Sequence, residues 1–256
     1  MNYRSTIGLC SFLTRAELQR RHARSSLGAA WGLLLPLVSI LVTWWMLDAT
    51  LNLRRTVGDG YGNALVVGLA VWLFVSEAIN ASLTSITTHP QLVKKTVFPA
   101  VILPISTVLA SAAIHLFVLA ALVAALMISG VVPTRAILTL PFWLATVVVF
   151  TASLGVIVAA LNVVLPDSAA VVTGMVSLWF WLTPIVWPLG YASDGWRLVA
   201  LANPLTPIIE GYRHALLGSP LADGSVGVIG VTAALATAGI GGLIFSRVRP
   251  LLADAL

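Results

Sequence analysis

Four histidines, one cysteine, two lysines and nine tryptophans are the side chains from which this chain of 256 residues could build a chemical site. The histidines, His22, His89, His115 and His214, are scattered. No two of them stand four apart with a glutamate between, the spacing a zinc-protease helix requires. Cys10 is alone, which leaves it no partner for an intrachain disulfide or a cysteine metal cluster. It reads as a small apolar filler. A phosphate-cradling loop needs a glycine directly before its lysine and a serine or threonine after it. The only lysines are Lys94 and Lys95, and Val93 precedes them, so this chain does not hold ATP by that device. His115 has no Gly-x-Ser-Gly segment to pair with, as an intramembrane serine protease would need. The expected inventory is therefore no catalytic residue, no metal and no cofactor on this chain.

Two residue classes remain. Glu77 stands inside an apolar run, where a charge at a helix centre costs about 2.5–3.5 kcal/mol. It should face protein or a watery cavity. A proton relay would use several such groups along a route, and Glu77 has no ionisable followers in the next two apolar runs apart from His115. The tryptophans are Trp31, Trp44, Trp45, Trp72, Trp143, Trp179, Trp181, Trp187 and Trp196. An aromatic belt at the membrane interface accounts for Trp31, Trp143, Trp187 and Trp196. Trp44, Trp45, Trp179, Phe180 and Trp181 lie deeper. Two readings stand for these five: flat faces on which the rings of a long glycan stack, or simple packing.

The elements that must position these residues follow from composition. Hydrophobic residues make up 59% of the chain and charged residues only 9%, against roughly 25% charged in soluble domains. Such a chain has no water-facing exterior to offer, and a single membrane domain over residues 1–256 is expected. A spanning helix needs about 20 apolar residues, and lipid enforces helix where it touches backbone. Six runs qualify: Ala29–Leu53, Tyr61–Ile86, Ala100–Ile128, Ile137–Leu165, Ser168–Leu189 and Val226–Phe245. No secretory signal peptide precedes them. With the N-terminus inside, nine basic residues fall on the inner side and five on the outer, and both lysines are inner. Both termini are therefore expected in the cytoplasm. The net charge of +5 is accounted for by this orientation, and no nucleic-acid partner is expected.

Three segments do not span. Over residues 9–27, Leu9, Phe12, Leu13, Ala16, Ala23 and Leu27 recur at helical spacing, with Arg15, Arg20 and Arg24 mostly on other faces. An amphipathic helix in the membrane interface fits this pattern, and a solvated basic stub is the alternative. Residues 88–99 hold Leu92-Val93-Lys94-Lys95-Thr96-Val97-Phe98 between Pro90 and Pro99. The prolines stop the flanking helices. An apolar patch beside two lysines suits docking to another protein, or anchoring to lipid headgroups. Residues 191–223 are too apolar for a free loop and too interrupted for a span, so short re-entrant helices at the outer leaflet are expected.

At this point four segments carry a likeness. Arg24-Ser25-Ser26-Leu27-Gly28-Ala29-Ala30-Trp31 runs on to Pro36, and Leu92 to Pro99 is followed by Leu103-Pro104. Leu161-Asn162-Val163 precedes Asp167, and Asn203-Pro204-Leu205-Thr206-Pro207 precedes Glu210, Tyr212 and Arg213. Together they resemble the membrane subunit of bacterial ABC exporters for polysaccharides, the group that moves O-antigen, capsule and teichoic acid precursors. Pro166 departs from that pattern, where an arginine is common.

The resemblance implies an all-α integral membrane protein of the inner membrane. It has six transmembrane helices, an N-terminal interface helix and re-entrant outer helices before the last span. It implies a homodimer above two separate P-loop ATPase subunits, which hold ATP and Mg. Leu92, Val93, Lys94, Lys95, Thr96, Val97 and Phe98 would couple to the ATPase. Arg15, Arg20, Arg21 and Arg24 would lie on the interface helix, where a pyrophosphate contact or positive-inside anchoring are both open. The cargo would be a lipid-linked polysaccharide. An ABC exporter for drugs or small lipids, and a gradient-driven secondary transporter, stand as alternatives.

Overall fold

The computed structural model describes residues 3–22, 29–51, 60–94, 98–187, 189, 192–221 and 225–251. Among them every regular element is helical: α1 (Tyr3–His22), α2 (Ala29–Leu51), α3 (Tyr61–Leu83), α4 (Pro90–Val93), α5 (Ile102–Ile128), α6 (Leu140–Val164), α7 (Ser168–Leu182), α8 (Asp194–Ala202), α9 (Thr206–Leu217) and α10 (Ser225–Val248). Single 3₁₀ turns, Arg135–Thr139 and Arg249–Leu251, precede α6 and follow α10.

Four helical stretches of the described residues are long and apolar enough to cross a membrane: Tyr61–Leu83, Ile102–Ile128, Arg135–Val164 and Ser225–Val248. Leu34–Leu47 and Ser168–Leu182 are shorter apolar stretches. The fifth run, expected over Ser168–Leu189, ends as a helix at Leu182. The cause is local. Thr183 precedes Pro184 and adopts the extended conformation, φ −98 and ψ 135, that a following proline imposes. The 15 residues of α7 rise about 22 Å, short of the roughly 30 Å of hydrocarbon.

Of the four long stretches, those of α3 and α6 are the most enclosed and that of α10 is the least. α10 lies along α6, while α3 packs against both α5 and α6. α9 wedges against α3, α6 and α10, so that Ile208, Ile209, Tyr212 and Ala215 are fully buried. That approach depends on Gly211, where a Cβ would lie 2.1 Å from the Trp143 ring. Gly218 then ends α9 with φ +67, the left-handed turn glycine adopts without strain. Its neighbour α8 is different, leaving Trp196, Leu198 and Leu201 exposed.

A smaller cluster at the opposite end, built on Ile86, Leu103, Val156, Val163 and Phe245, receives Leu13 of α1, Leu92 and Val93 of α4, and Phe98. The apolar residues expected to project for docking are thus half-buried on the chain's own cluster, and Lys94 is exposed. Lys95, Thr96 and Val97 lie outside the described residues, as do Arg24 and the end of the 9–27 segment. α1 covers most of the expected 9–27 segment. It starts at Tyr3, Phe12 is 67% exposed, and Glu17 is the residue buried. A carboxylate turns inward here because two arginines neutralise it.

Candidate functional site

The charges gather where α1 crosses α3 and α5. Glu17 sits three residues before Arg20 and four before Arg21, the two spacings that bring helical side chains together. Arg20 donates from Nε to Glu17 Oε2 at 2.9 Å, and Arg21 donates from Nε to Glu17 Oε1 at 3.0 Å. Burial would raise the Glu17 carboxyl, but the hydrogen bonds from Arg20 and Arg21, helped by their charge, hold it below its usual value. From there Arg21 reaches outward. Its Nη1 donates to Glu77 Oε1 of α3 at 2.5 Å and to Ser111 Oγ of α5 at 3.2 Å. Its buried Nη2 has no hydrogen-bond partner among the described residues. Arg21 therefore fastens α1 to two long helices. Arg15 and Arg20 are exposed.

Above this pair opens a cavity of about 300 Å³, with Arg21, Glu77 and Ser111 at its polar side. Leu35 and Pro36 of α2 and Leu73 of α3 supply apolar wall. Glu77 is half-exposed on this cavity and paired with Arg21. His115 also lines the cavity, stacked on Phe74 with ring centres 4.8 Å apart. Its Nε2 lies 3.3 Å from Tyr212 Oη of α9.

The five deep aromatic residues divide. Trp45 and Trp181 are exposed, at 65% and 61%. Trp44 is half-buried, its Nε1 against Gly62. Trp179 is also half-buried; it meets Trp72 edge to face at 5.8 Å and donates from Nε1 to Asn203 Oδ1 at 3.1 Å. Phe180 packs on Trp72 at 5.5 Å. The structure therefore brings Trp179 and Phe180 together as packing and leaves Trp45 and Trp181 on open faces.

Two polar clamps were not legible in the sequence. Asn203 donates to Thr183 Oγ1 at 2.8 Å while its Oδ1 accepts from Leu205 N and Trp179 Nε1. It locks the broken end of α7 to the turn before α9. Arg213 is buried, donating to Ala64 O at 3.1 Å, Ile185 O at 3.2 Å and Glu210 Oε1 at 2.7 Å. Beside it Tyr61 Oη donates to Val186 O at 2.6 Å. The Asn-Pro and Glu-x-x-Arg spacings were visible, but their other partners lie 20 or more residues away in the chain or in bare backbone. Among the described residues no group of three histidine, cysteine, aspartate or glutamate side chains is placed to hold a metal ion.

The sequence profile of the ABC-2 type transporter family matches residues 8–217. The O-antigen export system permease protein RfbA of Myxococcus xanthus is 28% identical over 218 residues, covering 84% of this chain and 83% of that protein. The protein of the same name from Klebsiella pneumoniae is 24% identical over 245 residues, covering 95% of this chain and 93% of its own length.

Proposed function

Since the chain belongs to the ABC-2 type transporter family of membrane proteins, we propose that it is the permease subunit of an ATP-driven exporter that carries a lipid-linked polysaccharide, O-antigen in the first instance, across the bacterial inner membrane. The observation that carries this reading is its likeness, over nearly its whole length, to two proteins named as O-antigen export permeases. Two copies pair, and each rests on a P-loop ATPase subunit that binds ATP and Mg. Each copy crosses the membrane six times with both termini in the cytoplasm, α2 and α7 completing the four longer spans. α8 and α9 form the re-entrant region at the outer leaflet.

The geometry supports a route for force. α4 and α1 pack on one apolar cluster, and Arg21 joins α1 to α3 and α5. A push on the segment around Lys94 therefore reaches three helices at once. The basic residues of α1, Arg15, Arg20 and Arg21, stand beside this route, where a pyrophosphate would arrive. One feature favours smaller cargo: the cavity of about 300 Å³ is the size of a compact ligand site, which a small-lipid exporter would use.

Expression in cells deleted for their own exporter tests the proposal. Surface polysaccharide should return only when this chain and its ATPase are both present. Lys94→Glu, Lys95→Glu and Phe98→Glu together should abolish ATPase co-purification. Polysaccharide at the surface without an ATPase would remove the reading, and export of small lipids alone would select the second one.

A further inference from the structure

Several exposed side chains within the membrane-spanning length of α3 and α7 are of the wrong type to face lipid. Over the half of α3 nearer α1 and the residue that caps it, the outward positions are Leu73, Ser76, Glu77, Asn80, Ala81 and Thr84. Four of these six are polar. On α7 the exposed Thr173 and Ser177 lie one turn apart, and Trp181 follows one turn further on the same face. The two stripes meet, because Thr173 Oγ1 donates to Asn80 Oδ1 at 2.9 Å.

Their depth matters. Ser76 lies about 10 Å from the Leu83 end of α3, and Ser177 about 13 Å from the Ser168 end of α7. The polar face therefore covers the α1-side half of the bundle. A lone serine whose hydroxyl bonds back to its own helix is tolerated by lipid, and Ser177 does bond to Thr173 O at 3.0 Å. Ser76 and Asn80 likewise bond back to α3, Oγ to Leu73 O at 3.3 Å and Nδ2 to Ser76 O at 2.8 Å, but lipid does not tolerate the half-exposed Glu77 carboxylate on the same stripe. A second copy of the chain has better places to sit, on the apolar faces of α7 (Val171, Met175, Leu178) and α2 that flank the stripe.

Resting on the reading proposed above, we infer that the joined face of Ser76, Asn80, Thr84, Thr173 and Ser177 is a water-lined seam along which the neutral, polyhydroxylated part of the cargo is hydrogen-bonded as it enters. Hydroxyls and a carboxamide both donate and accept, which matches sugar hydroxyls in any orientation. Where the stripe carries charge, at Glu77, the carboxylate is paired with the Arg21 guanidinium, and the five seam residues themselves are neutral. Several weak sites in a row allow passage, where one strong site would arrest it. The stripe delivers the chain to Trp181, so the exposed tryptophans serve the far half of the path.

The test uses the single native cysteine to advantage. In full-length Cys10→Ala protein, assembled with its ATPase in membranes, single cysteines replace Ser76, Thr173 or Ser177, and Val171 or Leu235 as comparators. A membrane-impermeant maleimide should modify the seam thiols at least about tenfold faster, because thiolate forms readily in water and poorly in apolar surroundings. Combined Thr173→Val and Ser177→Ala should lower surface polysaccharide several-fold while tagged second copies and the ATPase still co-purify. Seam thiols as slow as the comparators, or unimpaired export by the double variant, would overturn the inference. So would a loss of export that tracks loss of assembly. Failure of the unmodified chain to export any polysaccharide strikes the functional reading instead, and the maleimide rates separate that failure from a dry seam.

Discussion

Trp179 and Trp181 differ by two positions and face opposite demands. Trp179 is wedged between Trp72 and Phe150 and gives its indole N–H to Asn203. Trp181 is 61% exposed, contacts Phe180 at 5.1 Å, and offers its carbonyl, not its ring, to Trp187. Truncating the first leaves a cavity and removes one of the two hydrogen bonds to Asn203 Oδ1, which then keeps only that from Leu205 N. Trp179→Ala should therefore cost about 3–5 kcal/mol and lower the melting temperature of the purified protein. Trp181→Ala should change stability by no more than about 1 kcal/mol and slow polysaccharide export. Equal melting shifts for the two variants would contradict this division. The two side chains are indistinguishable by type and neighbourhood in the sequence. What separates them is the helical turn between them, which points one ring at α3 and the other away, and that is set by packing rather than by local pattern.

At the scale of elements, charge ties α1 to its neighbours. Leu13 supplies some apolar contact, but the connections that cross to other helices are those of Arg21 to Glu77 and Ser111. Removing Arg21 leaves the buried Glu17 with only Arg20, which is itself exposed, and leaves Glu77 facing a cavity alone. Removing Glu77 leaves Arg21 still paired to Glu17. The two losses are therefore unequal. Arg21→Gln should cost about 2–3 kcal/mol and Glu77→Gln about 1 kcal/mol or less, since Glu77 is half-exposed and its pair is screened. Limited trypsin digestion reads the difference, with cleavage at Arg15 and Arg20 rising sharply for Arg21→Gln and slightly for Glu77→Gln. The same rise in both would mean that the Glu77 bond, not the Glu17 anchor, holds α1. The long helices were legible from apolar run length alone, and Glu77's need for a cavity from its cost in lipid. The inward turn of Glu17 was written in its spacing to Arg20 and Arg21 and was outweighed by the apolar pattern around it. The early end of α7 was signalled by Thr183-Pro184, inside a run whose hydropathy continued past it.

On the whole molecule, burial is uneven in a way that a lone subunit does not explain. α3, α6 and α9 fill the centre. α7 buries only Ser168 and Val176, although it is too short to span the bilayer unaided. Its exposed side carries Val171, Met175, Leu178 and Leu182 at helical spacing, and α2 adds Leu34, Val38, Leu41 and Trp45. α10 is also exposed, through Val228, Leu235 and Leu243, but it has the length to lie against lipid as a full span. Lipid has no preference between these surfaces on apolarity alone. Length separates them, because a helix shorter than the hydrocarbon is best relieved by packing against another helix. The paired permease of the proposed exporter should then meet through α2 and α7, with the polar seam between them and α10 outermost. Single cysteines in the Cys10→Ala chain at Val171, Met175 or Leu178 should cross-link one copy to another on mild oxidation in membranes, and those at Leu235 or Leu243 should not. A helix that spans on its own and a helix that needs its neighbour give opposite results here, and cross-links confined to α10 would turn the dimer inside out.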